Sequence, residues 1–284
     1  LFIKSIFQLQ IYSFKIWGLI FRTSKHPSMA RKILIVWILL FAWQSSLQGQ
    51  QEPPKERILF VGNSFTFYWN LPKIVELMAQ QRQLRWDIDQ ATLGGASLEQ
   101  HWKGLRELTT QTTLKNGNYD RVILQDYSSN PLKKPEDTKT YVQAFQKMPL
   151  PKTPKWYYYS TWMYPNIDAK EHEHPYPIQH FYEGLQQVNG GQILVVGKVF
   201  AQFQKQHPEI NLLTDDNKHT SPEGTYLAAC VIFSQLSDQS PIGLSGQFYE
   251  RDEKEKIDTY FIIIQNKTAK ILQNFVATYF EFEN

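Results

Sequence analysis

Beyond a proline pair at Pro53-Pro54, apolar positions follow two alternating rhythms. Short unbroken apolar runs recur at 58–61, 122–124, 156–159 and 193–196, with a weaker, alternating one at 86–88. Continuous runs of this length suit strands buried on both faces. Between them, 71–81, 98–108, 141–148 and 178–188 carry apolar residues three and four apart, the spacing of one buried helical face. Strands alternating with helices predict a central parallel sheet. Right-handed crossovers then cover both of its faces, so the expected fold is a three-layer α/β/α sandwich. Two helix starts are marked: Ser97 with Gln100 forms a capping box, and Ser221-Pro222 sets an N-cap before proline at the start of a long helix reaching Leu236. The segment 253–280 predicts one more helix, with Ile257, Phe261, Ile264, Leu272 and Phe275 docking it on the sandwich.

The chain has 284 residues, and its 42% hydrophobic content is enough for one packed core. A net charge of +3 is spread without a lysine or arginine block, so a nucleic-acid partner is not expected. The lone cysteine, Cys230, sits beside Leu227 and Val231 and reads as core packing. Met29-Ala30-Arg31-Lys32, the apolar run 33–43 and the polar stretch 44–51 follow the pattern of a signal peptide over 29–50. The run is short of the roughly 20 residues that span a bilayer. Residues 1–28 read as an upstream extension outside the fold, with an uncleaved membrane anchor starting at Phe2 as the alternative, and 51–284 as a single exported domain, periplasmic, surface or extracellular, without stable membrane insertion after signal cleavage.

Candidate chemistry lies at the ends of the predicted strands, where α/β enzymes place reactive groups. Ser64 directly follows the first strand, in Gly62-Asn63-Ser64. A serine hydroxyl needs a histidine to take its proton and a carboxylate to orient that histidine. Asp216 and His219, three residues apart, can supply both from one loop. Donors for an oxyanion are expected from the Ser64 amide, from Gly95 next to a helix start, and from Gln125 at the end of the central strand, with Asn130 as the fallback. Gln125 has a second reading, as an anchor for the loop that follows it.

The blocks Gly62-Asn63-Ser64, Gly94-Gly95-Ala96-Ser97, Leu124-Gln125-Asp126 and Asp216-x-x-His219-x-Ser221, in that order, resemble the SGNH, or GDSL-like, hydrolase superfamily. The resemblance spans about 57–238. It implies a flavodoxin-like sandwich with esterase or lipase chemistry, and it points to Ser64, Gly95 and the Asp216–His219 pair. The third block departs from the usual Gly-x-Asn-Asp and looks more like the glutamine variant of carbohydrate O-acetylesterase branches. Asn63 stands where the Gly-Asp-Ser form has aspartate.

Trp69, Trp102 and Trp162 follow the proposed site blocks and could wall a substrate cleft for a sugar ring or acyl chain, or simply pack. Glu171-His172-Glu173-His174 has metal-binding residue types but no helical spacing, and reads as a solvated loop. His101 and His180 are expected on helix surfaces, and His207 in a loop before Pro208. The expected partner is a small-molecule or glycan ester, with neither metal nor organic cofactor. An inactive glycan-binding module and an acyltransferase are the alternatives on the same residues.

Overall fold

In the computed structural model, residues 54–165, 167 and 173–282 are described. The signal-peptide reading of 29–50, the extension 1–28 and two members of the acidic-histidine cluster, Glu171 and His172, lie outside them. Five parallel strands form the central sheet in the order β2-β1-β3-β4-β5. They are β1 (Glu56–Gly62), β2 (Trp86–Thr92), β3 (Arg121–Leu124), β4 (Lys155–Tyr159) and β5 (Gln192–Leu194). The strand order reverses direction between β1 and β3, which opens a crevice at their carboxyl ends.

The helices are α1 (Ser64–Phe67), α2 (Leu71–Gln81), α3 (Leu98–Lys103), α4 (Thr110–Gly117), α5 (Asn130–Lys133), α6 (Pro135–Gln146), α7 (Pro177–Asn189), α8 (Val196–Gln206) and α9 (Pro222–Ser237). Helices α2, α8 and α9 pack together on one side of the sheet, while α3, α6 and α7 form the opposite layer. This is the sandwich expected from right-handed crossovers. The interior is driven by β1 and β3, whose residues 58–61 and 122–124 have no exposed surface. Helix α9 is apolar around its circumference and is buried from Gly224 to Ser234, so Cys230 lies in the core.

Three local expectations change. The helix expected over 98–108 stops at Lys103, because Gly104 takes a left-handed conformation there (φ 66°). The strand expected over 193–196 ends at Leu194, and Val196 opens α8. The helix expected over 253–280 is instead an antiparallel hairpin, β6 (Gln247–Asp252) and β7 (Ile257–Ile263), followed by α10 (Asn266–Tyr279). The three- and four-residue spacing of Ile257, Phe261 and Ile264 misled, since β-branched and aromatic residues dominate 257–264 and favour a strand. Asp252 fixes the turn by accepting from the amides of Lys254 and Glu255, and Phe248 and Ile262 point inward together. Among the described residues, no helix is long and apolar enough to cross a membrane.

Candidate active site

The nucleophile turn follows from the last residues of β1. Asn63 caps α1 by accepting from the Phe65 amide through its side-chain oxygen, and its side-chain nitrogen Nδ2 donates to the Ala96 carbonyl, 2.9 Å away. A Cβ on Gly62 would collide with Thr66 Oγ1 and Gln125 Oε1, so the strand can end in this tight turn only with glycine. Ser64 is thereby held half-buried at the crevice.

The acid–base pair comes from a loop closed on itself. Leu213 bridges Thr220, and the Thr214 amide donates to the His219 carbonyl. Within it, Asp216 Oδ1 accepts from Thr214 Oγ1 and from the amides of Lys218 and His219. Asp216 Oδ2 lies 2.6 Å from His219 Nδ1, and His219 Nε2 lies 2.9 Å from Ser64 Oγ. A carboxylate can only accept, so Nδ1 carries the ring proton and Nε2 is free to accept from the serine. Desolvation pushes the Asp216 carboxyl upward, but the bonds from His219, Thr214 and Lys218 outweigh it and hold the group well below the usual carboxylate range. Tyr68 stacks on the imidazole at 4.3 Å and fixes its plane.

The Ser64 and Gly95 amides donate to no group among the described residues. Gly95 is exposed with φ at 68°, a conformation that suits glycine. Gln125 is turned away from its expected place in the oxyanion hole. It is 1% exposed, its Oε1 accepts from the Asn63 amide and from Thr66 Oγ1, and its nitrogen donates to the Asp126 carbonyl. All its polar atoms are engaged behind the turn, so it anchors the serine rather than facing the crevice. The fallback, Asn130, donates to Asp126. Asp126 also takes the amides of Leu98 and Tyr127 and the Thr138 hydroxyl, so it pins the start of α3 beside Gly95. Burial pushes its carboxyl upward.

The tryptophans also have other tasks. Trp162 is 3% exposed, stacks between Phe65 and Phe200, and donates its indole N–H to the Lys218 carbonyl. Trp69 donates to the Thr220 carbonyl and keeps 40% of its surface open. The two indoles therefore clamp the loop that carries His219. Trp102 meets Phe145 edge-on and is a packing residue of α3 against α6.

His101 does not lie on the helix surface expected for it. It is fully buried, with Nε2 3.0 Å from the Gly62 carbonyl and Nδ1 2.7 Å from Thr110 Oγ1. The carbonyl needs a donor, so Nε2 carries the proton and the Thr110 hydroxyl donates to Nδ1. Burial pulls its pKa from 6.5 down to about 4 against the opposing bond to Gly62. The signal for such a position was its place one turn into an amphipathic helix beside Leu98, which puts it on the buried face. Among the described residues, His174, His180 and Glu183 bring ligand-type atoms within 4.8 Å of one another on the surface near the start of α7. His180 is exposed as expected.

No protein-family model matches the sequence, and no curated protein matches it. Among solved structures, the chain is similar to a DUF4886 family protein from Bacteroides uniformis ATCC 8492, with TM-score 0.61 and 16% identity over 81% of this chain and 96% of that one. It is similar to a protein from Slackia heliotrinireducens assigned to the SGNH hydrolases, with TM-score 0.55 and 23% identity over 65% of this chain and 100% of that one. The psychrotrophic esterase EstA from Pseudoalteromonas sp. aligns with TM-score 0.51 and 11% identity, over 65% of this chain and 98% of that one. The chain therefore has the fold of the SGNH hydrolases, the superfamily its four sequence blocks resemble.

Proposed function

We propose that the chain is an exported serine esterase that removes a small acyl group, such as acetate, from a hydroxyl-bearing compound such as a glycan. The observation that carries this is the continuous relay from Asp216 through His219 to Ser64, at 2.6 and 2.9 Å. Ser64 Oγ adds to the ester carbonyl carbon while His219 Nε2 takes the hydroxyl proton. The carbon–oxygen bond to the alcohol then breaks, and His219 returns the proton to the departing alkoxide. Water attacks the acyl-enzyme with His219 as base, releasing the acid and restoring Ser64. Asp216 stabilises the imidazolium formed in both halves, and the amides of Ser64 and Gly95 are the donors available to the oxyanion.

The charged start and apolar run of 29–43 support export. An inactive glycan-binding module is disfavoured by the intact relay, which such a module would have no need to keep. The test is intact mass after fluorophosphonate treatment of the wild-type chain and of its Ser64→Ala and His219→Ala variants. One adduct on the wild type and none on either variant is expected. A folded wild type that takes no label would overturn the esterase reading.

A further inference from the structure

The loop that supplies Asp216 and His219 carries a cation between them that the relay does not use. Lys218 has both backbone groups fixed: its amide donates to Asp216 Oδ1 at 2.9 Å and its carbonyl accepts from the Trp162 indole at 2.9 Å. The direction in which the side chain leaves the loop is thereby set. Its Nζ comes to 5.3 Å from the centre of the Tyr164 ring, 5.8 Å from Tyr127 and 5.9 Å from Phe65. These rings are themselves held in place. Phe65 stacks on Trp162, and the Tyr164 hydroxyl is 2.8 Å from Ser128 Oγ. Phe65 follows Ser64 in the chain, and its ring centre is 5.7 Å from that of His219. The ammonium therefore stands one aromatic ring away from the reacting groups.

Among the described residues, the ring-seated Arg57, Lys103 and Arg121 each also pair with a carboxylate, while Lys198 over Tyr176 forms no ion pair. Lys218 forms no ion pair among the described residues. Of the nearest acids in the chain, Asp216 is committed to His219 and Thr214, and Asp215 is exposed without contact to it. An ammonium is strongly hydrated in water, so three aromatic faces replace only part of what the half-buried Lys218 loses. An apolar residue would fill the seat as well without that cost. A counter-charge brought by a substrate would complete the set.

We propose that Lys218 is a specificity-determining residue that recognises a carboxylate on the alcohol part of the substrate, so that the esters cleaved are acylated sugar acids. This rests on the esterase reading and names the substrate class within it. The ring seat restricts where the charge can stand, and the flat face of the half-buried Tyr127 suits the apolar face of a sugar ring. The ammonium acts as a point charge, without the planar fork of arginine, and one such charge matches one carboxylate.

The test compares a peracetylated methyl glucuronoside with its methyl ester, which has the same acetyl groups and no charge. Acetate release gives kcat/KM for each, and the readout is their ratio. The wild type is expected to favour the acid about tenfold, mainly through KM. The Lys218→Met variant should bring the ratio to near one, Lys218→Arg should keep most of it, and salt at about 0.5 M should shrink it in the wild type alone. Thermal melts establish that each variant is folded. If the methionine variant does not fold, the salt response of the wild type and the arginine variant still decide. A wild-type ratio of one, or the same preference in Lys218→Met, overturns the inference and leaves the esterase reading standing. If neither twin is cleaved and Ser64 takes no fluorophosphonate, the esterase reading falls. Calorimetry of the two compounds with the Ser64→Ala protein then shows whether Lys218 selects the charge, and equal binding overturns the inference.

Discussion

His101 makes the stability of this protein depend on pH in a direction that can be worked out in advance. The imidazole is fully buried and neutral, spanning from the Thr110 hydroxyl to the Gly62 carbonyl, two residues before Ser64. Burial lowers its pKa from 6.5 to about 4. Above the unfolded value the ring is neutral in both states and its titration costs nothing. Between the two values the unfolded chain binds a proton that the native state refuses, so stability falls as pH drops through this window. Each tenfold change in proton affinity is worth about 1.4 kcal/mol, so the loss attributable to His101 reaches about 3 kcal/mol near pH 4. The perturbation is His101→Gln, whose side-chain amide can still donate to Gly62 and does not titrate. Urea unfolding of both proteins between about pH 7 and pH 4 gives the difference in slope, and carbon-13 NMR of the His101 ring gives the native pKa directly. A variant that loses stability with acid as steeply as the wild type, or a ring that titrates near 6.5, would show that His101 is not the source of the acid sensitivity.

The same hydrogen-bonded frame yields two further expectations. Asp216→Asn keeps the shape of the loop but takes away the acceptor that sets the His219 tautomer, so kcat/KM on an activated acetate ester should fall by about 10³–10⁴-fold; activity within tenfold of wild type would remove Asp216 from the relay. Gln125→Leu strands the Asn63 amide and the Thr66 hydroxyl, which should lower unfolding free energy by at least about 2 kcal/mol in urea, together with kcat. A large drop in kcat with unchanged stability would instead return Gln125 to the oxyanion hole.

Much of the fold and part of the site can be read along the chain, for reasons that are local. Buried parallel strands announce themselves as apolar runs, and the Ser97 capping box with Gln100 forms as its spacing requires. Ser64 at the end of β1 and the Asp216–His219 spacing are likewise sequence properties, because a turn and a short loop impose their own geometry. The hairpin 247–263 was illegible because Ile257, Phe261 and Ile264 satisfy a helical period as well as a strand composition. Only the burial of Phe248 beside Ile262 decides between them.

Polar side chains whose partners lie far away in the chain are assigned only on packing. Gln125 turns from the crevice to the nucleophile turn because Asn63 and Thr66, some sixty residues earlier, would otherwise be unpaired. His101 leaves the helix surface for the Gly62 carbonyl, and Trp69 and Trp162 spend their indoles on the loop at 218–220. Lys218 acquires its aromatic seat from residues on three separate segments. Sequence periodicity reports which face of an element is apolar. It carries no record of which distant donor or acceptor a buried polar group must meet, and that requirement is settled only when the layers pack.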